Sequence, residues 1–568
     1  MITSDTARLR AVTDMMTAVT RTDAGRHEYD GVVQDLSADG VRKALAALRG
    51  PRVGSGGRGP TQDRRQPAPA DRHSERRPEA ADDRGQGQGH VHNYGQGQHD
   101  HGQGRDHDHD HDQRQLAAAE QALRVRFGEL ELHRYDPAIH LDNLDVACYE
   151  REYAPAAERA AARRAHLAAW PEAVDAAIGV LDRVPAPLAE AGLGAARRLA
   201  GHVSALPALD AQERADRRAA EAARTVLDRL VSHLGSLAAT GDPDPALGGA
   251  ALARLASATE ACEVDPTALA ARAEAERDIW RARLTEACAR IDPGAPTAEV
   301  IRRIEADRPG PEGVLDLAAE LVEEAAAWTA ERGLVPYLDG ECLVGPTTPT
   351  QGYQVATMTG AAPYEPDGPS WFRVTLPGPD RTDERRAQWL ALYNRSGLAN
   401  IALHEAAPGH FSHGRALRRA AGDIRRTLQS PAFVEGWAHY CEQLAVEEGF
   451  RDGDPAFVAS VARDALLRIT RLTGVIGVQT GAMTQAEIRH RFAADVHLDG
   501  PAAEVAAYRL LRDPMTMSYT WGKLAILDLR DRARRQWGSR FDLGRFHASM
   551  LALGAPPLGL LGSALDHP

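Results

Sequence analysis

Between Leu116 and about Gly333 the chain reads as long stretches rich in Ala, Arg, Leu and Glu, broken at intervals by proline. The breaks fall at Pro171, Pro185-Ala186-Pro187, Pro207, Asp242-Pro243-Asp244-Pro245 and Pro293-Gly294-Ala295-Pro296. Ala, Leu, Arg and Glu lose little freedom on entering a helix, whereas proline ends one. The pattern therefore restricts this half to amphipathic helices joined by short turns, a helical scaffold over 114–333. The bias extends to the whole chain, which is 43% hydrophobic but only 5% aromatic over 568 residues. A mostly α protein is expected, in one large or two smaller packed units.

Other segments depart from this pattern. Residues 1–50 carry a helical pattern of their own, and 51–113 then has almost no large apolar residue. Such a segment cannot bury enough to offset its ordering entropy, so disorder is predicted for it. It holds His90, His92, His99, His101, His107, His109 and His111, several alternating with Asp. That density of imidazole and carboxylate binds divalent metals loosely, as a solvated linker or as a metal-sequestering arm, but without preset geometry for a catalytic ion. The segment 334–382 is rich in Pro, Gly and Thr and carries Tyr337, Tyr353, Tyr364, Trp371 and Phe372. Its alternating stretch Trp371–Leu376 reads as a strand, within loops that line a cleft or merely cap the core. Helices return over 383–568.

The net charge of −13 argues against a nucleic-acid partner. Cys148, Cys262, Cys288, Cys342 and Cys441 are scattered, which is no disulfide framework. Met1 to Arg21 is charged throughout rather than signal-like, and no apolar run approaches the roughly 18–20 residues of a membrane span. A cytoplasmic protein without a membrane partner is expected.

Chemistry concentrates in three runs. The first is Leu403-His404-Glu405-Ala406-Ala407-Pro408-Gly409-His410. Two histidines with a glutamate after the first are akin to the HExxH zinc motif, in which the histidines hold Zn²⁺ and the glutamate polarises water. Here, however, the histidines are six apart rather than four, roughly 120° out of phase on a regular helix. Pro408-Gly409 between them should kink the helix. The kink either brings the imidazoles to one point or leaves a polar cluster at a helix end. The second run is Phe433-Val434-Glu435-Gly436-Trp437-Ala438-His439-Tyr440. Zinc hydrolases of the gluzincin type take a glutamate ligand from a following helix at about this separation, which makes Glu435 a candidate. His439, four residues on, shares its helix face as a supporting or substrate-facing group. In the third run, Asp513 to Lys523, Tyr519 could donate to an oxyanion or be an ordinary half-buried tyrosine.

Together these runs resemble the bacterial domain-of-unknown-function 885 family. Its hallmarks are His-Glu-Ala-x-Pro-Gly-His, then Glu-Gly-Trp-Ala-x-Tyr, then Ser-Tyr-x-x-Gly-Lys. They stand here, in order, as His404–His410, Glu435–Tyr440 and Ser518–Lys523. That family is similar in fold to the thermostable (Taq-type) zinc carboxypeptidases. The resemblance implies a large helical shell around a cleft with a short strand and loop segment near 334–382, and peptidase or related amide-hydrolase chemistry. It implies a Zn²⁺ cofactor on His404, His410 and Glu435, with Glu405 as general base and Tyr519, helped by His439, at the oxyanion. Short peptides or amino-acid conjugates are the substrates it suggests.

The pattern is broken where the family reads Arg-Leu-Val-Val-Asp-x-Gly-x-His, since Val475 and Gln479 replace the Asp and the His, and His413 stands where glutamine is common. This keeps open a metal-dependent hydrolase or cyclase of non-peptide amides or esters. A non-catalytic His-rich metal-binding protein is the further alternative.

Overall fold

The computed structural model describes residues 4–48, 101–348, 354–365, 368–378 and 381–566. Several of its helices begin where the sequence supplies a capping side chain followed by proline. Asp136, Asp265, Ser430 and Asp454 each accept a backbone N–H of the next turn, ahead of Pro137–Asn143, Pro266–Ile291, Pro431–Glu447 and Pro455–Gln479. The capping oxygen satisfies an otherwise orphaned donor, and proline has no N–H to lose at the first helical position. The proline breaks of the scaffold half separate Trp170–Val180, Ala186–Ser204, Glu213–Thr240, Gly249–Thr259 and Thr297–Ala306. The protein is mostly α, as expected.

The small sheet lies in the segment set apart by composition. Its strands are β1 (Cys342–Pro346), β2 (Ala356–Thr359) and β3 (Ser370–Val374), ordered β1-β3-β2. β3 pairs parallel with β1 (Cys342 opposite Ser370) and antiparallel with β2 (Thr359 opposite Trp371). Phe372 and Val374 are buried, while Trp371 faces out under the Arg373 guanidinium, 3.9 Å from its ring centre. The strand expected over 371–376 is thus one of three.

One sequence boundary needs correction. The predicted disordered segment was drawn to 113, but a helix runs from His101 to Leu123, and residues 51–100 of that segment lie outside the described ones. Its Leu116 is fully buried, and Glu120 receives the Arg8 guanidinium at 2.8 Å. One inward-facing leucine per few turns sufficed for the helix to dock, which a composition average conceals. One core runs across residue 333. Leu252, Trp280, Leu284, Val314 and Leu321 share one core with Phe433, Trp437, Phe457 and Leu472. A second core gathers Leu141, Trp170, Val174, Leu227 and Leu234. Among the described residues, no helix is long and apolar enough to cross a membrane.

The site is framed by paired helices: Pro266–Ile291 lies along Pro455–Gln479, and Pro431–Glu447 along Ser518–Trp537. The second pair meets backbone to backbone. A Cβ on Gly522 would stand 1.8 Å from the Ala432 carbonyl oxygen, and one on Gly436 would stand 2.5 Å from the Gly522 Cα. Both glycines belong to the motifs singled out above, and their role is close approach rather than chemistry. Gly522→Ala is expected to cost on the order of 3 kcal/mol or more, since the rigid backbone opposite cannot yield. Urea unfolding would measure it; a loss below about 1 kcal/mol would show that the two helices part freely.

Candidate metal centre

The helix Arg395–Glu405, capped by the Asn394 side chain, ends with His404 in its last turn. Pro408 has no N–H to continue it, and the next helix, His410–Leu417, starts on His410. Between them Ala406 and Gly409 leave helical dihedrals (φ −97°, ψ −97° and φ −72°, ψ −132°), and the Ala407–Pro408 bond is cis. The Gly409 N–H donates back to the Leu403 carbonyl at 3.1 Å. A Cβ on Gly409 would lie 1.9 Å from the His404 carbonyl oxygen, so no other residue fits. The indole N–H of Trp437, itself fully buried, donates to the Pro408 carbonyl at 3.0 Å and pins the break to the Glu435 helix. The two residues in excess of helical spacing are absorbed here. The His404 and His410 rings meet at 4.8 Å between centres, nearly perpendicular.

Glu435 faces both. Its Oε2 lies 3.5 Å from His404 Nε2 and 3.7 Å from His410 Nε2, and the three donor atoms fall within 4.8 Å of one another. These distances are too long for good hydrogen bonds. The buried Oε2 has no other hydrogen-bond partner among the described residues. Burial pushes the Glu435 carboxyl up, but the two imidazoles outweigh it and hold it well below the usual carboxylate range. Burial likewise opposes charge on His404, yet Glu435 and Glu442 raise it to about 10.

Glu442 is the residue that sequence reasoning missed. It is fully buried and accepts His404 Nδ1–H on Oε1 at 2.7 Å. The Arg468 guanidinium clamps its two oxygens at 2.9 and 3.0 Å. Asn400 Nδ2 donates to Glu442 Oε2 at 3.2 Å and to Asp464 at 2.7 Å. Burial pushes the Glu442 carboxyl up, but Arg468 and His404 hold it well below its ordinary value. A signal was present: Glu435, His439 and Glu442 share a helix face, Asn400 stands one turn before His404, and Asp464 one turn before Arg468. Scattered over three helices, such polar residues read as ordinary solvated faces.

His404, Glu405, Glu435 and Tyr519 line a single cleft of about 1840 Å³. The Arg468 guanidinium lies 5.8 Å from the Tyr519 ring centre, and burial, then Glu435, push the Tyr519 hydroxyl's pKa up. His439 is not brought to the cleft. It is buried behind the donor atoms, its Nδ1 3.5 Å from Glu442 Oε2, and burial and then Lys523 push it down to about 3. Its helix-face neighbour Glu435 points into the cleft, but the Ser518–Trp537 helix covers the next turn, so the oxyanion role expected for His439 has no geometry. Lys523, also fully buried, is held by Glu276 at 2.6 Å. Val475 lies in the core, and Gln479 accepts the Leu247 N–H at 2.7 Å. Neither lines the cleft, so both departures from the motif serve packing. His413 is buried against Phe433.

Residues 78–565 match the model of the family described as bacterial protein of unknown function, DUF885. The chain belongs to this family. The family match leaves out the N-terminal helices Ser4–Thr13 and Ala38–Ala47. In fold the chain is similar to a solved "putative lipoprotein of unknown function" from Shewanella oneidensis, with 17% identity, 99% of each chain covered and a TM-score of 0.72. It is also similar to a "putative lipoprotein" from Colwellia psychrerythraea, with 16% identity, 76% of this chain and 78% of that one covered, and a TM-score of 0.62. No curated protein matches the sequence. The two likenesses to solved proteins show fold alone, and neither bears on the expected kinship with zinc carboxypeptidases.

Removing Glu442 would strand the Arg468 guanidinium and the His404 N–H without an acceptor. Glu442→Ala is therefore expected to cost about 3–5 kcal/mol in chemical denaturation, as when one partner of a buried ion pair is deleted. A cost below about 1 kcal/mol would contradict the clamp described.

Proposed function

We propose that the chain is a zinc-dependent amide hydrolase acting on short peptides or amino-acid conjugates. The observation that carries this reading is the donor cluster: two imidazole Nε2 atoms facing one carboxylate oxygen that is buried and otherwise unpartnered, with His404 and Glu435 lining a large cleft. Donors about 2.0–2.2 Å from one tetrahedral zinc ion stand roughly 3.4 Å apart. The 3.5 and 3.7 Å separations fit that spacing and fit direct hydrogen bonding poorly. The His404 Nδ1–H bond to Glu442 orients the ring so that Nε2, on giving up its proton, would offer its lone pair to a bound metal, a common support for a metal-ligating histidine. The residues present thus suit zinc.

When bound, zinc supplies Lewis acidity that makes water nucleophilic near neutral pH. Glu405, next to the first ligand and in the cleft, takes the water's proton and returns it to the leaving amine. Tyr519 donates its hydroxyl proton toward the oxygen that gains charge. Glu442 and Arg468 fix the first imidazole, and Trp437 fixes the break that delivers the second.

The non-peptide alternative drew on Val475 and Gln479, which lie away from the cleft, so it loses its support. Metal storage by the His-rich tract is disfavoured in its described part. There Asp108 and Asp112 hold the Arg425 guanidinium at 2.8 and 2.7 Å, and His111 is buried beside it. For location we propose a reducing compartment, because the five cysteines are free. Recovery of the chain in a membrane fraction, as the lipoprotein descriptions of the two solved proteins suggest for those, would overturn that.

Elemental analysis should find one zinc more per chain in the parent and in Glu405→Gln than in Glu435→Ala, a difference that cancels metal held by the His-rich tract. Glu405→Gln should lose about 10²–10⁴-fold in turnover of acyl-amino acids. Equal zinc in all three proteins would overturn the site.

A further inference from the structure

Most arginines lining the cleft near the donor cluster are engaged by protein acids. Arg463 donates to Glu305 at 2.6 Å, Arg468 clamps Glu442, and Arg489 stands 3.8 Å from Glu504. Arg471 and Arg509 line the same cleft, yet no hydrogen bond or ion pair joins either side chain to a described residue. Arg471 follows Arg468 by three residues on the Pro455–Gln479 helix, so its guanidinium emerges one turn along the face that approaches Tyr519. Arg509 comes from the neighbouring helix Gly500–Arg512. Burial, and then the positive charge of Arg509, lower the Arg471 guanidinium to about 10, so it remains charged at neutral pH. Asp464, two turns earlier on the same helix, is held by Asn400 at 2.7 Å and makes no ion pair with Arg471. Two neighbouring cations without acceptors, one of them largely withdrawn from water, are costly in a folded protein unless an anion joins them.

We infer that Arg471 and Arg509 form a subsite for a free carboxylate of the substrate, placed beyond Tyr519 from the His404–His410–Glu435 cluster. This deepens the hydrolase reading and rests on it. Planar guanidiniums match a carboxylate through paired N–H donors, which a neutral amide cannot reproduce. The subsite makes the enzyme exo-acting, cleaving an amide close to the free acid end, and it excludes chains whose end is amidated.

The test is calorimetric titration of the full-length chain carrying Glu405→Gln, which stops turnover. The probes are an N-acetyl dipeptide with a free carboxylate and the same dipeptide as its carboxamide. The free acid should bind at least about tenfold more tightly. Arg471→Met and Arg509→Met should each remove most of that preference, and Arg471→Lys should keep part of it. Circular dichroism checks that each variant folds; should Arg471→Met misfold, Arg509→Met, on an exposed position, gives the same reading. Equal binding of the two probes, no binding of either, or a preference surviving in Arg471→Met/Arg509→Met would overturn the subsite. Loss of the hydrolase reading would show separately, as equal zinc in parent and Glu435→Ala, while the carboxylate preference would still be measured.

Discussion

The contact between the Gly409 backbone and the end of the preceding helix sets the terms for the rest of the site. At that point the chain stops one helix, folds back far enough for Gly409 N–H to reach the Leu403 carbonyl, and starts another. The space left for a side chain is nil, since a Cβ would sit 1.9 Å from the His404 carbonyl oxygen. A break of this kind is held only if something outside it accepts the freed geometry. Trp437 does so by donating to the Pro408 carbonyl, and Trp437 is two residues from Glu435. One indole therefore couples the histidine pair to the helix that carries the carboxylate, and that helix is in turn seated against Ser518–Trp537 at Gly436 and Gly522.

Around this frame the protein buries a layer of charge: Glu442, Arg468 and Lys523 with its Glu276 partner. Charges so placed are stable only when paired and fully hydrogen-bonded. The arrangement pairs each of them, and the acids and bases come from the helices Pro266–Ile291, Pro431–Glu447, Pro455–Gln479 and Ser518–Trp537. The polar layer thus locks four helices in register while it orients His404. Glu435 Oε2, on the cleft side of this layer, is left without such pairing.

How much of this was legible in the sequence follows from what each signal encodes. Proline and capping residues act locally, so the helices of the scaffold and the α class could be read from them. His404, His410 and Glu435 could be singled out because motif order survives in one dimension. Their convergence could not, since it depends on dihedrals at Ala406 and Gly409 that only a folded partner, Trp437, holds in place. Glu442 was passed over for the opposite reason: a glutamate in a helix ordinarily faces solvent, and the packing of Arg468 and Asn400 against it is what sets it apart. The same logic explains His439, whose helix face was foreseen but whose covering helix was not. Composition misled at 101–113, where His111 turns inward, followed by Leu116 in the same helix, from a segment that averages as hydrophilic.

The measurement that tests the account most directly is anomalous diffraction at the zinc edge from crystals of the full-length chain grown with zinc. The account predicts one strong peak about 2.0–2.1 Å from both His404 Nε2 and His410 Nε2, and within reach of Glu435 Oε2. A peak only at the histidines around His101–His111, or none between the two helix ends, would contradict it.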